Sequence, residues 1–189
     1  VVHASGRPSK TLTRPGASNQ FAVILIDETT GERIVLWDRD ERLALGADEV
    51  PQDAIAHARL LHVDDVDQGA AIAAARFGRD AGIPVTSDID RLTDRTPELV
   101  AAVTIPIFAE HVPAALTGRK DPEAALRRLR RDHDGLLVVT LGTGGALALD
   151  GDHAIRSPAF TVDAVDTTGA GDVFRAGFIH GLLSKWPLD

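Results

Sequence analysis

Cysteine is absent from this 189-residue chain, and methionine is absent with it. Without thiols there are no disulfides and no thiolate metal sites, which is compatible with a reducing compartment and makes the cytoplasm the expected location. The seven histidines are scattered without metal-ligand spacing, so none is read as a ligand. No apolar run approaches the length of a membrane span and no secretory leader is read at the amino end, so no membrane partner is expected. An excess of basic charge is lacking too. The net charge of −8 argues against nonspecific nucleic-acid binding, yet leaves nucleotides open, because nucleotide sites rely on local N–H groups and metal ions. No internal repeat or low-complexity tract is evident, and 44% hydrophobic residues suffice for the core of one good-sized domain.

The most informative stretch present is Asp166-Thr167-Thr168-Gly169-Ala170-Gly171-Asp172, which runs into Val173-Phe174-Arg175-Ala176-Gly177-Phe178. Phe174, Phe178 and Leu182 recur every four residues, which predicts a helix. The glycines flanking Ala170 let the backbone approach a ligand closely, and unpaired N–H groups at the helix start attract phosphate or a developing oxyanion. A carboxylate at such a place repels an anion unless it has chemistry to do. Asp172 is therefore read in one of two ways. It either caps the helix, or it is a general base that takes the proton of a substrate hydroxyl attacking the terminal phosphorus of a nucleotide.

Upstream, residues 1–20 are polar and rich in turn formers, reading as loop or weak edge strand. Phe21–Asp27 and Glu32–Trp37 predict a hairpin around Glu28-Thr29-Thr30-Gly31. From residue 48 strands and helices alternate. Strands are expected at Arg59–Val63, Ile83–Thr86, Thr104–Phe108 and Leu136–Leu141. Between them come helices at Asp67–Ala81, from Thr96 with a hydroxyl cap, at Glu110–Leu116 and from Asp121. The basic run Arg119–Arg131 keeps Leu126 and Leu129 on one face and is read as a solvated amphipathic helix. Ala146–Leu149 turns back at Asp150-Gly151-Asp152.

Such alternation implies a mostly parallel sheet covered on both faces, with ligands beyond the carboxyl ends of the strands. That rim would collect Asp64 and Asp65, Ser87 and Asp88, Glu110, and the Thr140-Leu141-Gly142-Thr143-Gly144-Gly145 loop. Asp64, Asp65 and Asp88 are also open to turn-forming roles and Glu110 to a capping one. The glycine loop is neither a dinucleotide fingerprint nor a Walker loop.

The Asp166–Asp172 pattern closely resembles the second signature of the PfkB (ribokinase-like) carbohydrate kinases. That resemblance implies a ribokinase-like three-layer α/β/α sandwich with a small β lid. It implies residues 1–45 as a lid-adjacent hairpin with loops and 46–189 as the kinase core, the chain being a fragment of a longer protein. It implies ATP-dependent phosphorylation of a hydroxyl on a small sugar of the ribokinase, fructokinase or ketohexokinase kind. Asp172 would be the base and would face the substrate, and Gly169, Ala170 and Gly171 would form the anion hole. Thr140, Gly142, Thr143 and Gly145 would contact nucleotide. Glu110 matches the acid of the family's Asn-x-x-Glu motif, implying Mg2+ held through water, although Ile107 stands at the asparagine position. Asp166 and Thr168 would line a monovalent-cation site, K+ being the expected ion. Lids in this family often pair, so a homodimer is an expected assembly. A nucleoside kinase of the same fold and a noncatalytic sugar- or nucleotide-binding protein are the alternatives.

Overall fold

The computed structural model describes residues 11–27, 33–164 and 166–188. The chain divides into two compact units, Val1–Ala44 and Leu45–Asp189.

In the first unit, β1 (Phe21–Ile26) and β2 (Arg33–Asp38) pair antiparallel, Phe21 opposite Asp38 and Ile26 opposite Arg33. The expected turn at Glu28-Thr29-Thr30-Gly31 lies outside the described residues. Successive side chains alternate between the two faces of the ribbon, and the apolar ones on both faces are exposed, among them Phe21, Ile24, Leu25, Leu36 and Trp37.

The second unit is built on a six-stranded sheet in the order β3 (Leu61–Val63), β4 (Val85–Ile89), β5 (Ile105–Phe108), β6 (Leu137–Thr140), β7 (Ala146–Asp150) and β8 (His153–Ser157). The first four strands are parallel and the last two join as antiparallel hairpins. A short helix, α1 (Gln52–Ala56), precedes the sheet. The crossovers are α2 (Gln68–Asp80), α3 (Thr96–Ala102), and the pair α4 (His111–Thr117) with α5 (Pro122–Leu129). Strands in sequential order joined by right-handed crossovers carry these helices on one face. There Ile72, Leu99, Val103, Val112 and Leu126 bury against Val85, Ile89, Phe108, Val139 and Leu147.

Side chains alternate along β4, so Thr86 and Asp88 point to the opposite face from Val85 and Ile89. On that second face lies α6 (Ala170–Ser184), whose Arg175 pairs with Asp88. Near its other end the Leu183 carbonyl accepts from Arg59 Nη2 at 2.7 Å. The layered ribokinase-like architecture is therefore present.

Three local expectations need correction. Ser87 and Asp88 lie inside β4, not beyond it. Pairing with β3 as far as Ser87 and with β5 as far as Ile89 carries the polar Thr86-Ser87-Asp88 run as strand. Thr96 does not cap α3: its buried hydroxyl donates to the Arg91 carbonyl (3.0 Å) and accepts from Thr93 N–H (2.9 Å), bracing the loop before the helix. Asp121 does cap α5, accepting from Ala124 N–H at 2.8 Å, but Glu110 at the start of α4 makes no capping bond.

Candidate active site

Because β3 to β6 run parallel, their carboxyl ends share one rim, and α6 begins at it. Gly169 takes the left-handed conformation (φ 78) that starts the turn into the helix. The Ala170 N–H is committed to the Thr167 carbonyl at 3.1 Å, and the Asp166 carboxylate accepts from Thr168 N–H at 2.8 Å. Asp166 thus braces the turn through its side chain. The Gly171 and Asp172 N–H groups have no acceptor among the described residues, and the first intrahelical bond comes from Val173 N–H to the Gly169 carbonyl (2.9 Å). These open donors occur where a helix start concentrates positive potential.

The Asp172 side chain is 81% exposed, and it is approached at 3.6 Å by Nη1 of Arg175. Arg175 itself is buried, and its Nη2 donates to Asp88 Oδ1. The sequence did not single out Arg175; the signal available was an arginine one helical turn after an acid. Burial pushes the Asp88 carboxyl up to about 6, with Asp65, Asp90 and Asp172 adding to the rise and Arg175 opposing it. Since this pKa lies above its unfolded value, the native state binds the extra proton, and Asp88 makes stability fall as pH rises from about 4 to about 6. Asp88→Asn is expected to flatten the pH dependence of the denaturation midpoint in that window; an unchanged slope would remove Asp88 as its source. His62 donates to or accepts from Thr86 Oγ1 through Nδ1 at 2.9 Å. Burial, then the Arg175 charge, lowers its pKa against the pull of Asp64 and Asp172.

The other rim acids separate by role. Asp65 is buried, and one of its oxygens accepts from Asp90 N–H (2.8 Å) and Arg91 N–H (2.5 Å), bracing the loop after β4. Asp64 closes a turn by accepting from Val66 N–H at 2.9 Å. Glu110 is exposed at the end of β5, whereas Ile107, at the asparagine position of the motif, is fully buried in that strand. Among the described residues no group of three or more His, Asp or Glu could hold a metal ion. A single carboxylate acting through water, the role the family resemblance implies for Glu110, asks for no such group.

The Gly142–Gly144 turn joins β6 to β7. Gly145 has φ 87, and a Cβ there would lie 2.0 Å from the Ser157 carbonyl oxygen, so its missing side chain is demanded by the chain leaving β8. Gly142 also has positive φ (53), but a Cβ there would meet nothing within 4 Å. At the opposite, amino-terminal rim a groove of about 840 Å³ is lined by Arg76, Arg79, Glu98 and His133. Two of its arginines are paired, Arg76 with Glu98 (3.0 Å) and Arg79 with Asp134 (2.9 Å), and it holds none of the motif residues.

Comparison with known proteins gives a consistent answer. The ATP-dependent ribose-1-phosphate kinase of Halopiger xanaduensis is 35% identical over 164 residues, 85% of this chain and 53% of that protein. The ribokinase of Lactococcus lactis is 28% identical over 172 residues, covering 85% of this chain and 56% of the relative. The chain thus spans about half the length of the curated relatives it matches. Among solved structures, the adenosine kinase from Sinorhizobium meliloti superposes with a TM-score of 0.77 at 27% identity, over 89% of this chain and 56% of the other. No described helix is long and apolar enough to cross a membrane. The model of the pfkB family of carbohydrate kinases matches residues 8–189, and the chain belongs to that family.

Proposed function

We infer that the protein transfers the terminal phosphoryl group of ATP to a hydroxyl of a small sugar. The observation that carries this reading is the open pair of N–H groups at Gly171 and Asp172 beside an exposed Asp172 carboxylate. Asp172 accepts the proton of the acceptor hydroxyl as that oxygen attacks phosphorus. The turn at Gly169, Ala170 and Gly171 meets the charge that accumulates on the phosphoryl oxygens, with the Gly171 and Asp172 N–H groups as donors, because the Ala170 N–H already serves the Thr167 carbonyl. Thr140, Gly142, Thr143 and Gly145 are assigned to the nucleotide side, with the backbone at Gly142 the most accessible to it.

Magnesium, when bound, would screen the nucleotide phosphates, and Glu110 would hold it through water. Asp166 and Thr168 would line a K+ site behind the anion hole, the Asp166 carboxylate already being directed into the turn by Thr168 N–H. The β1–β2 hairpin is read as lid-adjacent, its exposed apolar strands being suited to pair with a second copy. Cytoplasmic residence belongs to the same reading.

A nucleoside is the second acceptor class, favoured by the likeness to an adenosine kinase. The test is ADP release by the intact protein with ATP, Mg2+ and a panel of ribose, fructose, ribose 1-phosphate and adenosine. Turnover with a sugar or sugar phosphate is the expected result. Turnover with adenosine alone selects the second reading, and none with any acceptor overturns both.

A further inference from the structure

We propose that Arg175 is a positioning residue, a buried guanidinium anchored by Asp88 at the carboxyl end of β4 that holds the Asp172 carboxylate in place through its other terminal nitrogen. The proposal rests on the assignment of Asp172 as base.

Burying a guanidinium is costly unless it is well paired, and Arg175 is only 10% exposed. If its purpose were to tether α6 to β4, a side-on, two-nitrogen pairing with Asp88 would be the strongest arrangement. Instead Asp88 takes Nη2 alone, Nε is buried without a partner among the described residues, and Nη1 is left facing Asp172 at 3.6 Å. The guanidinium is thus shared between a half-buried acid of the sheet and an acid exposed at the rim.

The turn is built around it. A Cβ on Gly171 would fall 2.5 Å from Nη1 and 3.4 Å from Cζ, so the last residue of the anion-hole sequence has no side chain where the guanidinium lies. The same positive charge lies beside both the open N–H groups and the carboxylate. It offsets the repulsion between an ionised base and an incoming phosphate, and it selects the Asp172 rotamers that face the rim. Asp172 and Arg175 stand one helical turn apart, close enough for their side chains to meet.

The test compares Arg175→Met, Arg175→Lys and the double variant Arg175→Met/Asp88→Asn, which removes both charges of the pair and so guards against an unfolded single variant. In each, kcat, KM for both substrates and the thermal midpoint are measured. Loss of Arg175 is expected to lower kcat about 10- to 100-fold, the size of effect that misplacing a reacting group produces, with KM within about threefold. Lysine is expected to restore the thermal midpoint but not kcat, because one ammonium cannot serve both acids as a planar fork does. In an Asp172→Asn background the further loss from Arg175→Met should vanish, as it must if arginine acts through the aspartate.

Crystal structures of the wild type and of Arg175→Met, or of the double variant, supply a readout independent of turnover. Asp172 is expected in one rotamer toward Arg175 in the first and spread over several in the second. An unmoved Asp172 with kcat within about threefold of wild type overturns the proposal while leaving the kinase reading standing. A wild type without turnover on the whole acceptor panel, but with the Asp172 rotamer lost in the variant, overturns the kinase reading and keeps the positioning role.

Discussion

Asp172→Asn is expected to cut kcat by about 100- to 10,000-fold, the range in which a positioned general base contributes to proton transfer. Asparagine keeps the size and shape of aspartate but cannot take the proton that the attacking hydroxyl must lose. The Asp172 side chain is 81% exposed and its closest cation stands at 3.6 Å, beyond hydrogen-bond contact, so the fold makes little use of it. The thermal midpoint should therefore stay within about 2 °C of wild type, corresponding to the ±0.5 kcal/mol typical of surface substitutions. That separation matters because the alternative role, capping α6, predicts another pattern: asparagine caps about as well as aspartate, so Asp172→Asn would leave stability and turnover both near wild type, and only Asp172→Ala would lower stability, by about 1 kcal/mol. The cap itself is already occupied by another residue, since Gly169 is the N-cap and Asp172 lies inside the first turn. Turnover within about tenfold of wild type in the intact protein would remove Asp172 as base.

How much of this was readable beforehand depends on how far apart the cooperating residues lie. The Asp166–Asp172 turn was legible because its parts are neighbours: Gly169 sets the left-handed start, Asp166 braces Thr168, and the helix follows at Ala170. The alternation of strands and helices was legible for a similar reason, each element announcing itself by its own period. The ends of β4 were not, because Thr86, Ser87 and Asp88 are polar and are held as strand by neighbours on both sides. Arg175 was not legible either. Its partner Asp88 is 87 residues away in sequence, and along α6 it reads as one cation on a mostly apolar helix. Asp65 shows the opposite error of emphasis: an acid at a strand end looked like a ligand candidate, yet its oxygen is spent on two backbone N–H groups.

The glycine loop after β6 carries the other large effect. Gly145→Ala is expected to destabilise the protein by about 3 kcal/mol or more, from a positive-φ backbone (φ 87, ψ −126) that glycine alone adopts readily and a side chain with nowhere to go. The added methyl would sit 2.0 Å from the Ser157 carbonyl oxygen and 2.7 Å from the Ala159 nitrogen. Both are main-chain atoms at the exit of β8, so relief requires moving a strand end and not a rotamer. At about 2 to 4 °C per kcal/mol for a domain of this size, the thermal midpoint should drop by about 6 to 12 °C. Gly142→Ala is the matched control, since it shares the positive φ but meets nothing within 4 Å. It should cost only about 1 kcal/mol from backbone conformation. If nucleotide lies against this loop, Gly142→Ala should also raise KM for ATP about tenfold, equivalent to 1.4 kcal/mol of lost binding, because the methyl then fills space meant for the ligand. A large stability loss at Gly145 with an unchanged KM for ATP at Gly142 would make the loop a scaffold for β8 alone. The opposite combination would make it the nucleotide wall, so the pair of substitutions separates two reasons for glycine that the sequence alone cannot distinguish.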